Sequence, residues 1–148
     1  MIAVGEKGPD FDAPVAGGGR LRLSTLRGAP VVLYFYPAAD TPGCTIESKG
    51  FRDVYPEFRA KNVHVVGVSV DEVEDQEKFA GKYQLPFPLV SDTSKAVSES
   101  YGTLGGGGRS RRVTFLMDPG GKVLEVVDDR DAEKHVKRAR ERFLTSSK

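Results

Sequence analysis

The chain has 148 residues, with 39% apolar and 29% charged side chains and a net charge of +1. That length suits one domain around one substantial core, and the charge balance gives no global pull towards nucleic acid or an anionic membrane. The single cysteine, Cys44, excludes an internal disulfide and a multi-thiolate zinc site, so no metal or other cofactor is expected.

Residues 1–10 (MIAVGEKGPD) carry Glu6, Gly5, Gly8 and Pro9 where a signal peptide needs an apolar stretch, so a cytosolic location is the expectation. The apolar run over residues 31–39 is too short to cross a bilayer. Gly17, Gly18 and Gly19 form a turn ahead of the alternating segment Leu21-Arg22-Leu23, and residues 24–28 read as a helical turn or loop. Residues 31–36 (VVLYFY) are β-branched and aromatic, as a strand buried on both faces should be.

A helix follows, with Thr41 as N-cap and Pro42 at its first position. Ile46, Phe51, Val54, Tyr55 and Phe58 are placed on one helical face, and Pro56 is expected to kink the helix or end it early. Residues 63–70 (VHVVGVSV) are the next buried strand, so the two strands pair in parallel through a right-handed crossover. Residues 74–83 form a second helix, 87–90 a short strand, 95–101 a short helix, and 105–108 a flexible glycine loop. Residues 113–117 and 122–127 flank the turn Asp118-Pro119-Gly120-Gly121 as an antiparallel hairpin. A charged helix over 131–143 closes the chain, with Ala132, Val136, Ala139 and Phe143 on one stripe. The expected fold is an α/β layer with a mixed sheet and helices on both faces. The two histidines lie far apart in sequence, and His64 reads as a sheet residue and His135 as a surface residue.

The chemistry concentrates in residues 36–53, YPAADTPGCTIESKGFRD. A buried strand ends at Pro37, and Cys44 falls in the first turn of the next helix. First-turn N–H groups are unpaired and the helix dipole is positive there, and both favour thiolate over thiol. A buried, inert cysteine is the alternative. The loop-to-helix junction at the carboxyl end of a central strand, and the flanking Pro42 and Gly43, favour a nucleophile. Glu47 reads as a first-turn acid drawn by the dipole, and Arg112, inside Arg109-Ser110-Arg111-Arg112, reads on its own as part of a solvated basic run.

Pro37, Thr41 and Cys44 stand as P-x-x-x-T-x-x-C, which resembles the peroxidatic motif of peroxiredoxins. The longer run YFYPAADTPGCTIESKGFRD is similar to the bacterioferritin-comigratory, or Q-type, branch. The likeness extends to residues 5–11, 23–27, 65–71 (VVGVSVD) and 112–122 (R-x-T-F-L-M-D-x-x-G-K). It implies a single thioredoxin-like domain over residues 1–148 and reduction of hydrogen peroxide or organic hydroperoxides. It also implies roles: Cys44 as peroxidatic thiolate cycling through sulfenic acid, Thr41 hydrogen-bonding the peroxide or the thiolate, Pro37 shielding the sulfur, and Arg112 holding the thiolate form. Many members carry a resolving cysteine five residues on, where this chain has Lys49. The resemblance is therefore to one-cysteine variants, reduced from outside by thioredoxin, glutaredoxin or a low-molecular-weight thiol such as glutathione or mycothiol. A monomer or homodimer is expected, with no nucleic-acid or membrane partner. The stretch between Tyr101 and Arg112 is short and glycine-rich for the branch, so any lid built there is reduced. The competing reading is a non-enzymatic binding module using residues 109–112 or the helix cations Lys134, Lys137, Arg138, Arg140 and Arg142 on an acidic partner.

Overall fold

The computed structural model describes residues 1–144. A small hairpin, β1 (Asp12–Pro14) and β2 (Arg20–Arg22), is followed by a 3-10 turn over Leu23–Leu26. The main elements are β3 (Val31–Phe35), α1 (Pro42–Ala60), β4 (His64–Ser69), α2 (Val73–Tyr83), β5 (Leu89–Ser91), α3 (Ala96–Tyr101), β6 (Val113–Met117), β7 (Val123–Asp128) and α4 (Ala132–Phe143). The main sheet has the order β5-β4-β3-β6-β7. β3 pairs in parallel with β4 and antiparallel with β6, so the sheet is mixed and β3 is its centre.

Side chains on a strand alternate between the two faces. On β3, Val31, Leu33 and Phe35 enter one core with Val66, Phe115 and Tyr101. Val32, Tyr34 and the following Tyr36 enter the other, with Phe51, Phe58, Phe79 and Ala139. α1, α2 and α4 cover this second face, while α3, the 3-10 turn and the small hairpin cover the first. Every residue of β3 is buried, which is why its sequence is apolar without alternation.

Helix α1 departs from expectation at two points. It runs through Pro56 to Ala60 instead of ending early. A proline inside a helix costs ~3 kcal/mol or more, but burying Phe51 and Phe58 on either side contributes ~1.5–3 kcal/mol each. Both rings are fully buried and Pro56 is exposed, so the packing face is untouched by the missing N–H. Ile46 is not in the core at all; it is 52% exposed. It lies five residues before Phe51, which on a helix is well round from the buried face.

The glycines at 105–108 form a reverse turn. Gly105 N–H donates to the Arg109 carbonyl at 2.8 Å, and Leu104 and Ser110 close it as a bridge. Among the described residues, no helix is long and apolar enough to cross a membrane.

Gly67 sits mid-strand on β4, opposite Tyr34 and Leu89. A β-carbon there would lie 2.9 Å from the Tyr34 hydroxyl and from a Leu89 methyl. Gly67→Ala is expected to destabilise the fold by ~1–3 kcal/mol, read as a lower urea midpoint with the slope unchanged. An unchanged midpoint would show that this core can give way.

Candidate active site

The site is assembled where β3 ends. The loop from Pro37 to Thr41 is clamped on both sides. Ala39 N–H donates to the Asp71 carboxylate at 2.7 Å. Asp40, in the left-handed region at φ 58°, accepts from Lys82 at 3.0 Å and from the Tyr83 hydroxyl at 2.7 Å. Thr41 stands at the N-cap position of α1, but its hydroxyl does not cap. It donates instead to the Ala38 carbonyl at 2.7 Å. The Thr41 proton is thereby committed, and the oxygen is left as an acceptor.

Pro42 opens the helix, so Cys44 is its third residue, in the turn whose N–H groups lack helical partners. Its side chain is fully buried, in one core cluster with Tyr34, Tyr36 and Phe51. Arg112 reaches over from the residue before β6. Its Nη2 donates towards the Cys44 sulfur at 3.6 Å, and its Nη1 to Glu47 Oε1 at 2.7 Å. The guanidinium lies on the helix backbone at Gly43, where a β-carbon would come within 2.7 Å of Nη2. A cation 3.6 Å from a thiolate is worth ~4–5 kcal/mol at an effective dielectric of ~20, against ~0.3–2 kcal/mol for a helix terminus. Arg112 therefore attracts a negative sulfur more strongly than the helix terminus does.

The basic run does not act as a unit. Arg112 has a side chain only 12% exposed, whereas Arg111 is turned outward to Asp128 at 3.2 Å. Arg109 is exposed and donates to the Pro37 carbonyl at 3.4 Å. Reading the whole run as a solvated loop is thus wrong for Arg112, because strand alternation sends it inward. A polar cleft of about 610 Å³ opens on Pro37, Arg111 and Arg112, bordered by Asp128, Asp129 and Arg130.

Two residues read otherwise from the sequence, Glu47 as a first-turn acid and His135 as a surface residue, are part of the site, and Glu47 lies beyond the first turn of α1. Glu47, one turn after Cys44, is fully buried. Burial pushes its carboxyl up to about 8, against the opposing pull of Arg112. Burial also works against the Arg112 charge, but Glu47 and Cys44 outweigh it and hold that guanidinium more firmly protonated than usual. One cation is thus shared by two acidic groups that compete for it. His135 is also fully buried, not on the surface. Its Nδ1 is 2.7 Å from the Thr114 hydroxyl, and its Nε2 is 2.7 Å from the Asp129 carbonyl oxygen. It falls on the inner stripe with Ala132 and Ala139, three residues after one and four before the other, a helical spacing hidden by its charged neighbours.

His64 lies on β4, half-buried and 3.3 Å from Arg59 Nη1, with burial pushing its pKa down. Lys49 is exposed over the Tyr83 ring. Among the described residues, no group of three or more His, Cys, Asp or Glu side chains is placed to hold a metal ion.

Comparisons with known proteins identify the fold and the family. The AhpC/TSA family model matches residues 4–126. A putative peroxiredoxin bcp of Coxiella burnetii is 42% identical over 142 residues, covering 91% of this chain and 94% of that protein. Peroxiredoxin Bcp of Escherichia coli is 36% identical over 141 residues, covering 90% of each. The crystal structure of peroxidoxin BcpB from Mycobacterium tuberculosis superposes with a TM-score of 0.93 at 36% identity, covering 100% of both chains. The fold is accordingly thioredoxin-like, and the chain belongs to the AhpC/TSA family, among the peroxiredoxins of the Bcp and Q type.

Proposed function

We propose that this peroxiredoxin reduces hydrogen peroxide and organic hydroperoxides through Cys44, working with one cysteine and an external thiol. The observation that carries the reading is the Arg112 guanidinium bridging the Cys44 sulfur and Glu47. The Cys44 thiolate attacks one peroxide oxygen, the O–O bond breaks, and the sulfur becomes sulfenic acid. The departing oxygen takes its electron pair and a proton, leaving as water or alcohol. Arg112 stabilises the thiolate before the step and the negative charge on the departing oxygen during it. Thr41 accepts the peroxide O–H through its free lone pairs, which fixes the direction of approach. Pro37 shields the sulfur from bulk water.

A thiol then attacks the sulfenic sulfur, releasing water and forming a mixed disulfide. A second thiol equivalent displaces Cys44 and leaves as a disulfide. Thioredoxin, glutaredoxin and small thiols of the cytosol are the candidate reductants. The protein acts as a monomer or a homodimer. Position 49 gives no route to an internal disulfide. On a regular helix, residues five apart have Cα atoms ~9 Å apart, beyond the ~7 Å reach of a disulfide. With lysine there, nothing drives α1 to unwind on oxidation. The binding-module reading has little support, because most of its cations are already paired, among them Arg111 with Asp128, Lys134 with Asp129, and Arg138 with Glu125.

Cys44→Ser is expected to abolish peroxide removal with excess dithiothreitol, and activity near wild type would overturn the proposal. Arg112→Met should slow Cys44 oxidation about tenfold or more, while Arg111→Met changes it little. Equal effects would mean that the basic run acts only through its total charge.

The oxidised state makes a second prediction. A sulfenic-acid trap with mass spectrometry should label Cys44 in the absence of reductant. Amide exchange over residues 44–55 should match between reduced and singly oxidised protein. A large rise in exchange on oxidation would show that α1 opens without a resolving cysteine.

A further inference from the structure

His135 has no part in the chemistry above, yet it lies fully buried directly behind Glu47. Its protons follow from its partners. Nε2 is 2.7 Å from the Asp129 carbonyl oxygen, which only accepts, so Nε2 carries a hydrogen. Burial favours the neutral ring, whose Nδ1 is then a bare lone pair that takes the Thr114 hydroxyl proton at 2.7 Å. Glu47 Oε2 is 3.5 Å from the same Nδ1 and has no hydrogen-bond partner. An ionised Glu47 would therefore aim a bare, buried oxygen at a nitrogen that carries no hydrogen, and a buried polar atom left unsatisfied costs ~1–3 kcal/mol or more. One added proton between the two atoms removes the conflict. It sits on Oε2 as a neutral carboxyl, or on Nδ1 as an imidazolium facing the carboxylate. Either way the pair carries no net charge.

We infer that His135 is a positioning residue for the peroxide reaction: it holds one proton on the Glu47 side of Arg112, with the Thr114 hydroxyl competing for its Nδ1, and so leaves the guanidinium charge for the Cys44 sulfur. The inference rests on the peroxidase reading above. The groups facing this proton come from every neighbouring element. Glu47 and Cys44 lie on α1, Tyr34 on β3, Arg112 precedes β6, Thr114 is on β6, and Asp128 and Asp129 end β7. Burial lowers the proton affinity of His135; the Asp129 carbonyl raises it, Arg112 lowers it, and the Asp129 and Asp128 carboxylates raise it. The Glu47 carboxyl itself is pushed up to about 8 by burial. Below that pH the pair keeps its proton and Arg112 faces the sulfur uncancelled. Above it, Glu47 ionises and claims Arg112, and less positive charge remains for the departing oxygen.

The test follows two readouts against pH in wild type, His135→Gln and Thr114→Val. One is the rate of Cys44 oxidation by hydrogen peroxide. The other is the ultraviolet absorbance of the Cys44 thiolate, with Cys44→Ser as the blank, which needs no peroxide. The wild-type oxidation rate should fall as pH rises through about 8. The glutamine amide can keep the Asp129 bond but offers no ring nitrogen. His135→Gln should therefore move the fall about one pH unit lower and cut the neutral-pH rate about threefold to tenfold, with less thiolate at neutral pH. Thr114→Val frees Nδ1 for Glu47 and should move the fall higher. Opposite shifts from two conservative variants would not come from loosened packing. Superimposable profiles, or shifts in the same direction, would overturn the role of His135. If His135→Gln does not fold, Thr114→Val decides: an upward shift supports the role, and an unchanged or downward one overturns it. A wild type inert to peroxide, with the thiolate shifts still present, would overturn the peroxidase reading alone.

Discussion

One half-buried guanidinium, that of Arg112, is shared between the Cys44 sulfur and the Glu47 carboxyl, and much of the surrounding architecture serves to put it there. Its placement begins with strand register. β6 pairs antiparallel with β3 so that Val113 lies opposite Phe35. Arg112 therefore falls beside the carboxyl end of β3, where the chain turns into the loop that opens α1. Slipping that register by one residue would turn Arg111 inward and Arg112 towards solvent. The loop is pinned from the other side by Asp71, Lys82 and Tyr83, so the first turn of α1 meets the guanidinium at a fixed position. Gly43 lets the guanidinium lie against the helix backbone.

Sharing one cation between two acids makes the site a compromise. A fully buried carboxylate is expensive even beside an arginine, and here burial prevails, so Glu47 holds its proton near neutral pH. That outcome favours the sulfur, because a neutral Glu47 accepts from Arg112 without cancelling its charge. The closing helix α4 completes the arrangement by packing on α1 and bringing His135 behind Glu47. A single cysteine gives the oxidised site no internal partner, so in the proposed cycle the sulfenic form waits for an outside thiol. On that proposal the same exposure in time leaves it open to sulfinic acid, which ordinary thiols do not reverse.

Much of this was legible in the sequence. The apolar β-branched runs at β3 and β4 and the turn before β7 gave the sheet, and Thr41-Pro42 marked the start of α1 within the motif that ends at Cys44. The inward turn of Arg112 came only from family resemblance, because within four basic or polar residues local pattern does not say which side chain the strand edge buries. Glu47 and His135 were missed for a related reason. Each is polar, His135 stands among charged neighbours and Glu47 is followed by Ser48 and Lys49, and composition then suggests solvent. Their burial depends on α1 packing against α4, a contact between segments far apart in sequence. The spacing of Ala132, His135 and Ala139 was the one local signal that pointed inward. Pro56 misled in the opposite direction, because a local rule about helix interiors was overridden by the burial of Phe51 and Phe58.

The central claim is that this pocket favours attack on an O–O bond, beyond merely exposing a reactive thiolate. The most direct measurement compares the rate of Cys44 with hydrogen peroxide and with a neutral alkylating reagent such as iodoacetamide, each relative to a free thiolate. The account predicts a peroxide rate at least ~100-fold above the free thiolate with no matching gain in alkylation, because Arg112 stabilises charge on a departing oxygen held in place. Equal enhancement of both rates, or of neither, would contradict it.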